Sequence, residues 1–128
     1  MKIIVPSENK NTNWKNGQGS TREIIISPES AVFPLDDFDW RLSSAKILSN
    51  GDFSLFPGYE RILCLKSASH LDLINESGFR VSMSAKIAHK FSGSEKIRCE
   101  IFSEAVEDLG LIYNPQKVRA SFEICDFE

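Results

Sequence analysis

The sequence predicts an all-β domain, and three observations carry that reading. Helical periodicity is nearly absent from the 128 residues. Short runs rich in β-branched and aromatic residues recur in its place, and turn residues punctuate them at short intervals, the pattern of a sandwich or barrel. In chain order, Lys2–Val5 reads as a first strand because three large apolar residues precede Pro6. Ser7–Asn13 is polar and reads as a loop. Strands are then expected at Thr21–Ser27, Trp40–Leu48, Asp52–Leu55, Arg61–Lys66, Leu71–Ile74, Phe79–Ser82, Lys86–Phe91, Lys96–Ile101, Leu109–Tyr113 and Val118–Ile124.

The connections are argued from turn chemistry. Asn50-Gly51, between two alternating runs, is the strongest hairpin signal. Asn75-Glu76-Ser77-Gly78, Ser92-Gly93-Ser94 and Asn114-Pro115 are also good turn sequences. Pro28–Asp37 reads as a surface connection, mobile at its tip. Only Ser103–Asp108 is suited to a short helix, with Ser103 as N-cap and acidic residues in the first turn.

Bulk composition bounds the rest. A chain of 128 residues with 41% hydrophobic and 26% charged residues is expected to form one domain, 1–128. A net charge of -3 and no Lys/Arg run give no reason to expect nucleic acid. The apolar N-terminal stretch is too short for a signal peptide or membrane span, so no membrane association and a cytoplasmic location are expected. Cys64, Cys99 and Cys125 are an odd number without a C-x-x-C, which fits reduced thiols. Cys64, inside Ile62-Leu63-Cys64-Leu65, reads as a small buried hydrophobe.

Side chains alternate across a strand, so one face can be read off each run. That face carries Thr21, Glu23, Ile25 and Ser27 on one strand, Arg41, Ser43, Ala45 and Ile47 on the next, and Arg61, Leu63 and Leu65 on a third. A barrel with a packed deep end and a mouth lined by Thr21, Glu23, Arg41, Ser43 and Arg61 follows. Two guanidinium groups there favour a carboxylate ligand, which they match in a bidentate fork. The plainer alternative is that Glu23 and Arg41 form a structural ion pair.

Other chemistries lack their residues. His70 and His89 are the two histidines, nineteen residues apart, and no H-x-H or H-x-x-x-H spacing occurs, so no metal or other cofactor is expected. Asp36-Asp37-Phe38-Asp39 lacks calcium-loop spacing. Trp14-Lys15-Asn16-Gly17-Gln18-Gly19 matches neither the dinucleotide fingerprint nor the P-loop. It reads either as a loop closing the barrel with Trp14 as an apolar wall, or as a tight turn anchored by Trp14. No nucleophile elbow is present. Glu23 is a weak candidate for a catalytic acid/base, blunted by its arginine neighbour.

Three islands carry a family resemblance: Trp14-Lys15-Asn16-Gly17-Gln18-Gly19-Ser20-Thr21-Arg22-Glu23, Phe38-Asp39-Trp40-Arg41-Leu42-Ser43-Ser44-Ala45 and Gly51-Asp52-Phe53-Ser54-Leu55-Phe56-Pro57-Gly58-Tyr59-Glu60-Arg61. In order and spacing they resemble the HutD/Ves family, which shows W-K-N-G-G-G-x-T-R-E, F-D-W-R-x-S-x-A and G-x-F-S-x-F-P-G-x-x-R. Gln18 departs from the family's middle glycine, and Asp108-Leu109-Gly110-Leu111-Ile112 departs from its D-x-N-x-M. The resemblance implies a cupin-like double-stranded β-helix or barrel with at most one short helix. It also implies a metal-independent binder of a small carboxylate, with a regulatory role in amino-acid catabolism. Carried over by position, the ligand-binding residues are Trp14, Asn16, Thr21, Glu23, Arg41, Ser43, Phe53, Ser54 and Arg61.

The alternatives are a cupin-type isomerase or hydrolase using Glu23, and a protein-interaction module with a vestigial pocket. Relatives continue into a second barrel region, so a homodimer is expected here. The alternating run Val118, Ala120, Phe122 and Ile124 would then lie at a sheet edge that invites a partner chain.

Overall fold

The computed structural model describes residues 10–14, 17–66, 69–85 and 87–121. Ten strands and no helix are found among these residues: β1 (Lys10–Asn13), β2 (Gly19–Ser27), β3 (Trp40–Ile47), β4 (Gly51–Asp52), β5 (Glu60–Leu65), β6 (His70–Asn75), β7 (Arg80–Ser84), β8 (His89–Ser92), β9 (Ile97–Ile101) and β10 (Val106–Tyr113). They form a six-stranded sheet of order β1-β2-β3-β10-β5-β8 and a four-stranded sheet of order β4-β9-β6-β7, antiparallel at every pairing. No helix here is long and apolar enough to cross a membrane.

The two sheets bury their inner faces against each other. Ile47, Leu63, Leu65, Phe91 and Val106 from the larger sheet meet Leu71, Leu73, Met83, Ile97 and Cys99 from the smaller. Alternation produces this: β5 sends Leu63 and Leu65 inward in phase with Arg61, and β10 sends Val106 and Ile112 inward in phase with Asp108 and Gly110. A second apolar layer, Ile62, Leu111 and Tyr113 with Trp40 and Leu42, lies on the outer face of the larger sheet under Val118 and Ala120.

Several local expectations are corrected. Lys10–Asn13 is a strand, although it is wholly polar; β2 recruits it as an exposed edge partner, which no apolar pattern signals. Asn50-Gly51 is not a hairpin, because β3 and β4 belong to different sheets. Asn50 instead accepts a hydrogen bond from the Ile101 amide at 2.8 Å where the chain crosses between them. Asn75-Glu76-Ser77-Gly78 does join a hairpin, β6 to β7, with Gly78 at φ 86° and Asn75 Oδ1 accepting from the Ser77 and Phe79 amides.

Ser103–Asp108 forms no helix. Val106 and Asp108 both point inward as the start of β10, so the acidic residues mark strand alternation rather than a first turn. Residues 118–121 form no strand, and the rest of the expected Val118–Ile124, like the expected Lys2–Val5 and Cys125, lies outside the described residues. A bulge between Glu23 and Ile25 shifts the register of β2, so Ile26, not Ile25 or Ser27, faces inward beside Arg41.

Candidate functional site

The antiparallel register stacks the inward side chains of the larger sheet into levels. At one end Gly19, Ile47 and Val106 pair across β2, β3 and β10. Next come Thr21, Ala45, Asp108 and Leu65, then Glu23, Ser43, Gly110, Leu63 and His89. The last level holds Ile26, Arg41, Ile112, Arg61 and Phe91. Arg41 and Arg61 flank Ile112 from opposite sides, so their Cα atoms stand two strand spacings, about 10 Å, apart on one face.

The two arginines are held differently. Arg41 is buried, donates from Nε to Glu23 Oε1 at 3.0 Å and lies over the Phe33 ring at 3.7 Å. Burial lowers its pKa, while the hydrogen bond and charge of Glu23 oppose that shift. The structural ion pair between Glu23 and Arg41 is therefore real, and it neutralises one of the two cations.

Arg61 donates from Nη1 to the Ser54 carbonyl at 3.1 Å and sits over the rings of Phe53, Phe56 and Phe91 at 5.2–5.3 Å. Among the described residues no carboxylate lies within ion-pair distance of it. Burial brings its pKa down to about 10, opposed by the charge of Asp108. At neutral pH it remains a cation in an aromatic cage.

Below the arginines the interior changes character. Gly110 leaves its position open: a β-carbon there would meet only Leu63 Cδ1 at 3.8 Å and Ser43 Oγ at 3.9 Å, ordinary contact distances. One level further in, Asp108 is 4% exposed and accepts from the Ala45 amide at 3.0 Å. Burial drives its pKa up to about 7, against the opposing effects of that hydrogen bond and of the Arg61 and Lys66 charges. The geometry thus sets a guanidinium without a carboxylate partner at one end of this face, room for a β-carbon and a hydroxyl at the level of Gly110, and a buried carboxyl beneath.

Both ends of this interior are closed. The entrance loop forms a tight turn, with the Gly17 amide donating to the Trp14 carbonyl and the Trp14 amide to the Gly19 carbonyl. Gly17 adopts φ 71°, and Gly19 lies so close to the Trp14 ring and the Lys46 carbonyl that no β-carbon fits. Trp14 packs on the core and donates from Nε1 to Thr21 Oγ1 at 2.8 Å, at the end away from the arginines.

The arginine end is capped by Phe38 and by the Pro28–Asp37 connection, most of whose residues lie at the surface as expected. Ala31 and Phe38 are buried, and Phe33, Phe38, Phe56 and Tyr59 form a ring-on-ring cluster over Ile26 and Ile112.

The sequence-predicted residues therefore divide. Glu23, Arg41, Ser43, Phe53 and Arg61 converge. Thr21 lies one level below Glu23, because β2 runs antiparallel to β3 and its start meets the end of β3. Trp14 sits beyond Thr21, and Asn16 lies outside the described residues. Ser54 contributes its carbonyl while its side chain is exposed. The reading missed Asp108, Phe33 and Tyr59. Asp108 had a legible signal, an acid in phase with Gly110 and Ile112 on an otherwise apolar strand face.

His70 and His89 lie on β6 and β8 in different sheets. Among the described residues no three His, Cys, Asp or Glu side chains gather in a metal-holding group. Two surface clefts lie outside this interior. One of about 170 Å³ is lined by Arg22, Ser44, Lys66 and Glu107. One of about 400 Å³, lined by Phe53, Leu55, Ile74 and Arg98, shares Phe53 with the Arg61 cage.

The HutD family model matches residues 6–128. The chain belongs to the HutD family. An uncharacterised 21.2 kDa protein in the hutC 3' region of Pseudomonas putida is 36% identical over 113 residues, covering 88% of this chain and 58% of that protein. Protein Ves of Cronobacter sakazakii is 31% identical over 114 residues, covering 88% and 60%. The chain thus spans about three fifths of the length of these curated relatives.

Among solved structures, HutD from Pseudomonas fluorescens SBW25, in a formate condition, superposes with a TM-score of 0.78 at 30% identity, covering 88% of this chain and 60% of that one. A Cupin_2 domain of an XRE family transcriptional regulator from Enterobacter cloacae matches at a TM-score of 0.58 and 14% identity, covering 77% and 98%, a likeness of fold alone. This HutD-family chain is all-β and cupin-like.

Proposed function

We propose that the protein is a metal-independent, cytoplasmic binder of a small monocarboxylate, acting as a regulatory component of amino-acid catabolism rather than as an enzyme. The observation that carries this reading is Arg61, a half-buried cation in an aromatic cage without a carboxylate partner among the described residues, on the same sheet face as Gly110. Unpaired charge is costly once it is partly buried, so a complementary anion is favoured there. Arg41 is already neutralised by Glu23, which argues for one carboxylate rather than two. Ser43 supplies a hydroxyl at the level of Gly110, and Phe53 and Phe91 wall Arg61. The formate condition of the related HutD structure is in keeping with a ligand of this class.

Calorimetry with a panel of small acids tests the reading. Arg61→Ala is expected to cost about 2–5 kcal/mol of binding, because the captured charge would be left buried and unpaired. Unchanged affinity in that variant would remove Arg61 from the role. Turnover is the second reading, and the observation that favours it is Asp108, a buried carboxyl able to exchange a proton near neutral pH. In that case Asp108→Asn abolishes a measurable reaction while Glu23→Gln does not.

A further inference from the structure

Asp108 and Arg61 project from neighbouring strands on one face of the larger sheet, on the two sides of Gly110, where a β-carbon would make only ordinary contacts. Their charges act on each other through space without an ion pair among the described residues. The Asp108 carboxyl is 4% exposed, and the hydrogen bond it accepts comes from the Ala45 amide. An anion seated under Arg61 would bring a second negative charge into the same low-dielectric space. Two carboxylates cannot both remain ionised there at small cost, and a shared proton relieves the repulsion.

We propose that anion capture at Arg61 is proton-coupled: the Asp108 carboxyl becomes fully protonated from solvent as the anion binds and presents its hydroxyl to the anion as a hydrogen-bond donor. The inference rests on the carboxylate-binding reading above and adds to it the condition under which the site fills. Asp108 already lies at the balance point, since burial holds its carboxyl up near 7 in the empty protein. A neighbouring anion displaces that balance towards the protonated form. By linkage, an anion that raises proton affinity must itself bind more tightly at lower pH.

The groups facing Asp108 are few. Arg61 and Lys66 at β5 favour its ionised form, and Cys64 and Cys99 are thiols whose pKa burial pushes up, so neither ionises near neutrality. The Glu23–Arg41 pair on β2 and β3 is internally neutral. His89 on β8 stacks on Phe91 at 5.8 Å, beside Arg61, and is a second ionisable side chain on this face. It therefore has to be separated from Asp108 by experiment.

Formate and acetate are the probes, titrated at constant ionic strength and followed by calorimetry and by amide chemical shifts. Affinity is expected to fall about tenfold between roughly pH 5.5 and pH 8.5, with roughly half a proton taken up per anion at neutral pH. Proton uptake is read in the wild-type protein from the binding heat in two buffers of different ionisation enthalpy, so this arm does not depend on any variant folding. Asp108→Asn is expected to bind with no pH dependence and no uptake, and His89→Gln to keep both. Binding in the wild type that is independent of pH and of buffer overturns the proton coupling and leaves the carboxylate site standing. A pH dependence lost in His89→Gln and kept in Asp108→Asn also overturns it. Failure of both anions to bind at every pH overturns the site and the coupling together.

Discussion

Asp108 ties the stability of the protein to pH in a direction opposite to most carboxylates. Its folded-state pKa, raised to about 7 from an ordinary 3.8, means that the native state holds a proton which the unfolded chain has already lost. Its contribution is therefore most favourable below 3.8 and declines as pH rises to about 7. Asp72 on the smaller sheet behaves conversely. Burial pushes its pKa up, but hydrogen bonds with Arg80, Ser82 and His70 outweigh this and hold it below the ordinary value. Its contribution is present above the ordinary carboxylate range and lost in stronger acid.

Urea denaturation across pH is thus expected to show a maximum between these windows and a decline towards neutrality of up to about 4 kcal/mol, absent in Asp108→Asn. A flat profile from mild acid to neutrality would remove the buried charge from the account. Gly19 makes a second residue-scale case. A β-carbon there would stand 2.5 Å from the Lys46 carbonyl and 2.8 Å from the Trp14 ring. Gly19→Ala is expected to destabilise by about 1–3 kcal/mol through overpacking, measured as a lower denaturation midpoint.

Among the elements, β2 and residues 28–38 decide what the interior looks like. The bulge near Ile24 turns β2 over, so that Glu23 meets Ser43 while Ile26 packs with Phe38 and Ala31. Residues 28–38 then close the end, with the Val32 amide donating to Asp36 Oδ2 at 2.8 Å and Phe33 lying across Arg41. Phe33 is half-buried and touches Phe38, Phe56 and Arg41, so it joins the cap to both the barrel and the segment after β4. Phe33→Ala is expected to cost about 1–3 kcal/mol, less than a fully buried phenylalanine. It should raise amide exchange across residues 28–38 while β5 and β10 stay protected. Unchanged exchange in that segment would mean that Phe33 does not hold the cap.

On the scale of the whole molecule, the outer face of the larger sheet is the apolar surface that bears on assembly. Trp40, Leu42, Ile62, Leu111 and Tyr113 lie there, and Val118 and Ala120 are what covers them among the described residues. We propose that a second copy of the chain packs on this side, completing its cover. The expected edge strand at Val118–Ile124 no longer supports this, since residues 118–121 are irregular. Ile62, Leu111 and Tyr113 are already buried there, so what a partner would cover is the half-buried Trp40 and Leu42 at the margin of this face. Light scattering should return about twice the 14.4 kDa chain mass, and a mass near 14.4 kDa would end the proposal.

The amino-acid sequence by itself determined the class of fold, the strands β2, β3, β5, β6 and β9, and the sharing of one face by Glu23, Arg41, Ser43 and Arg61. These follow from a side-chain period of two, which is a local property of an extended chain. Motif spacing placed the chain in its family for the same reason: unusual residues recur at set intervals whatever packs around them. Which strands pair was decided elsewhere. Asn50-Gly51 has good hairpin chemistry, yet β4 pairs with β9, because burying both sheet faces outweighs one favourable turn. Polar Lys10–Asn13 became a strand only because β2 offered it backbone partners. The difference between Arg41 and Arg61 is likewise tertiary. Both begin a strand in the same phase, but Glu23 reaches one of them and three aromatic rings surround the other. The buried acid near neutrality arises only when β3, β5 and β10 enclose Asp108, since desolvation depends on everything packed around a group rather than on its neighbours in the chain.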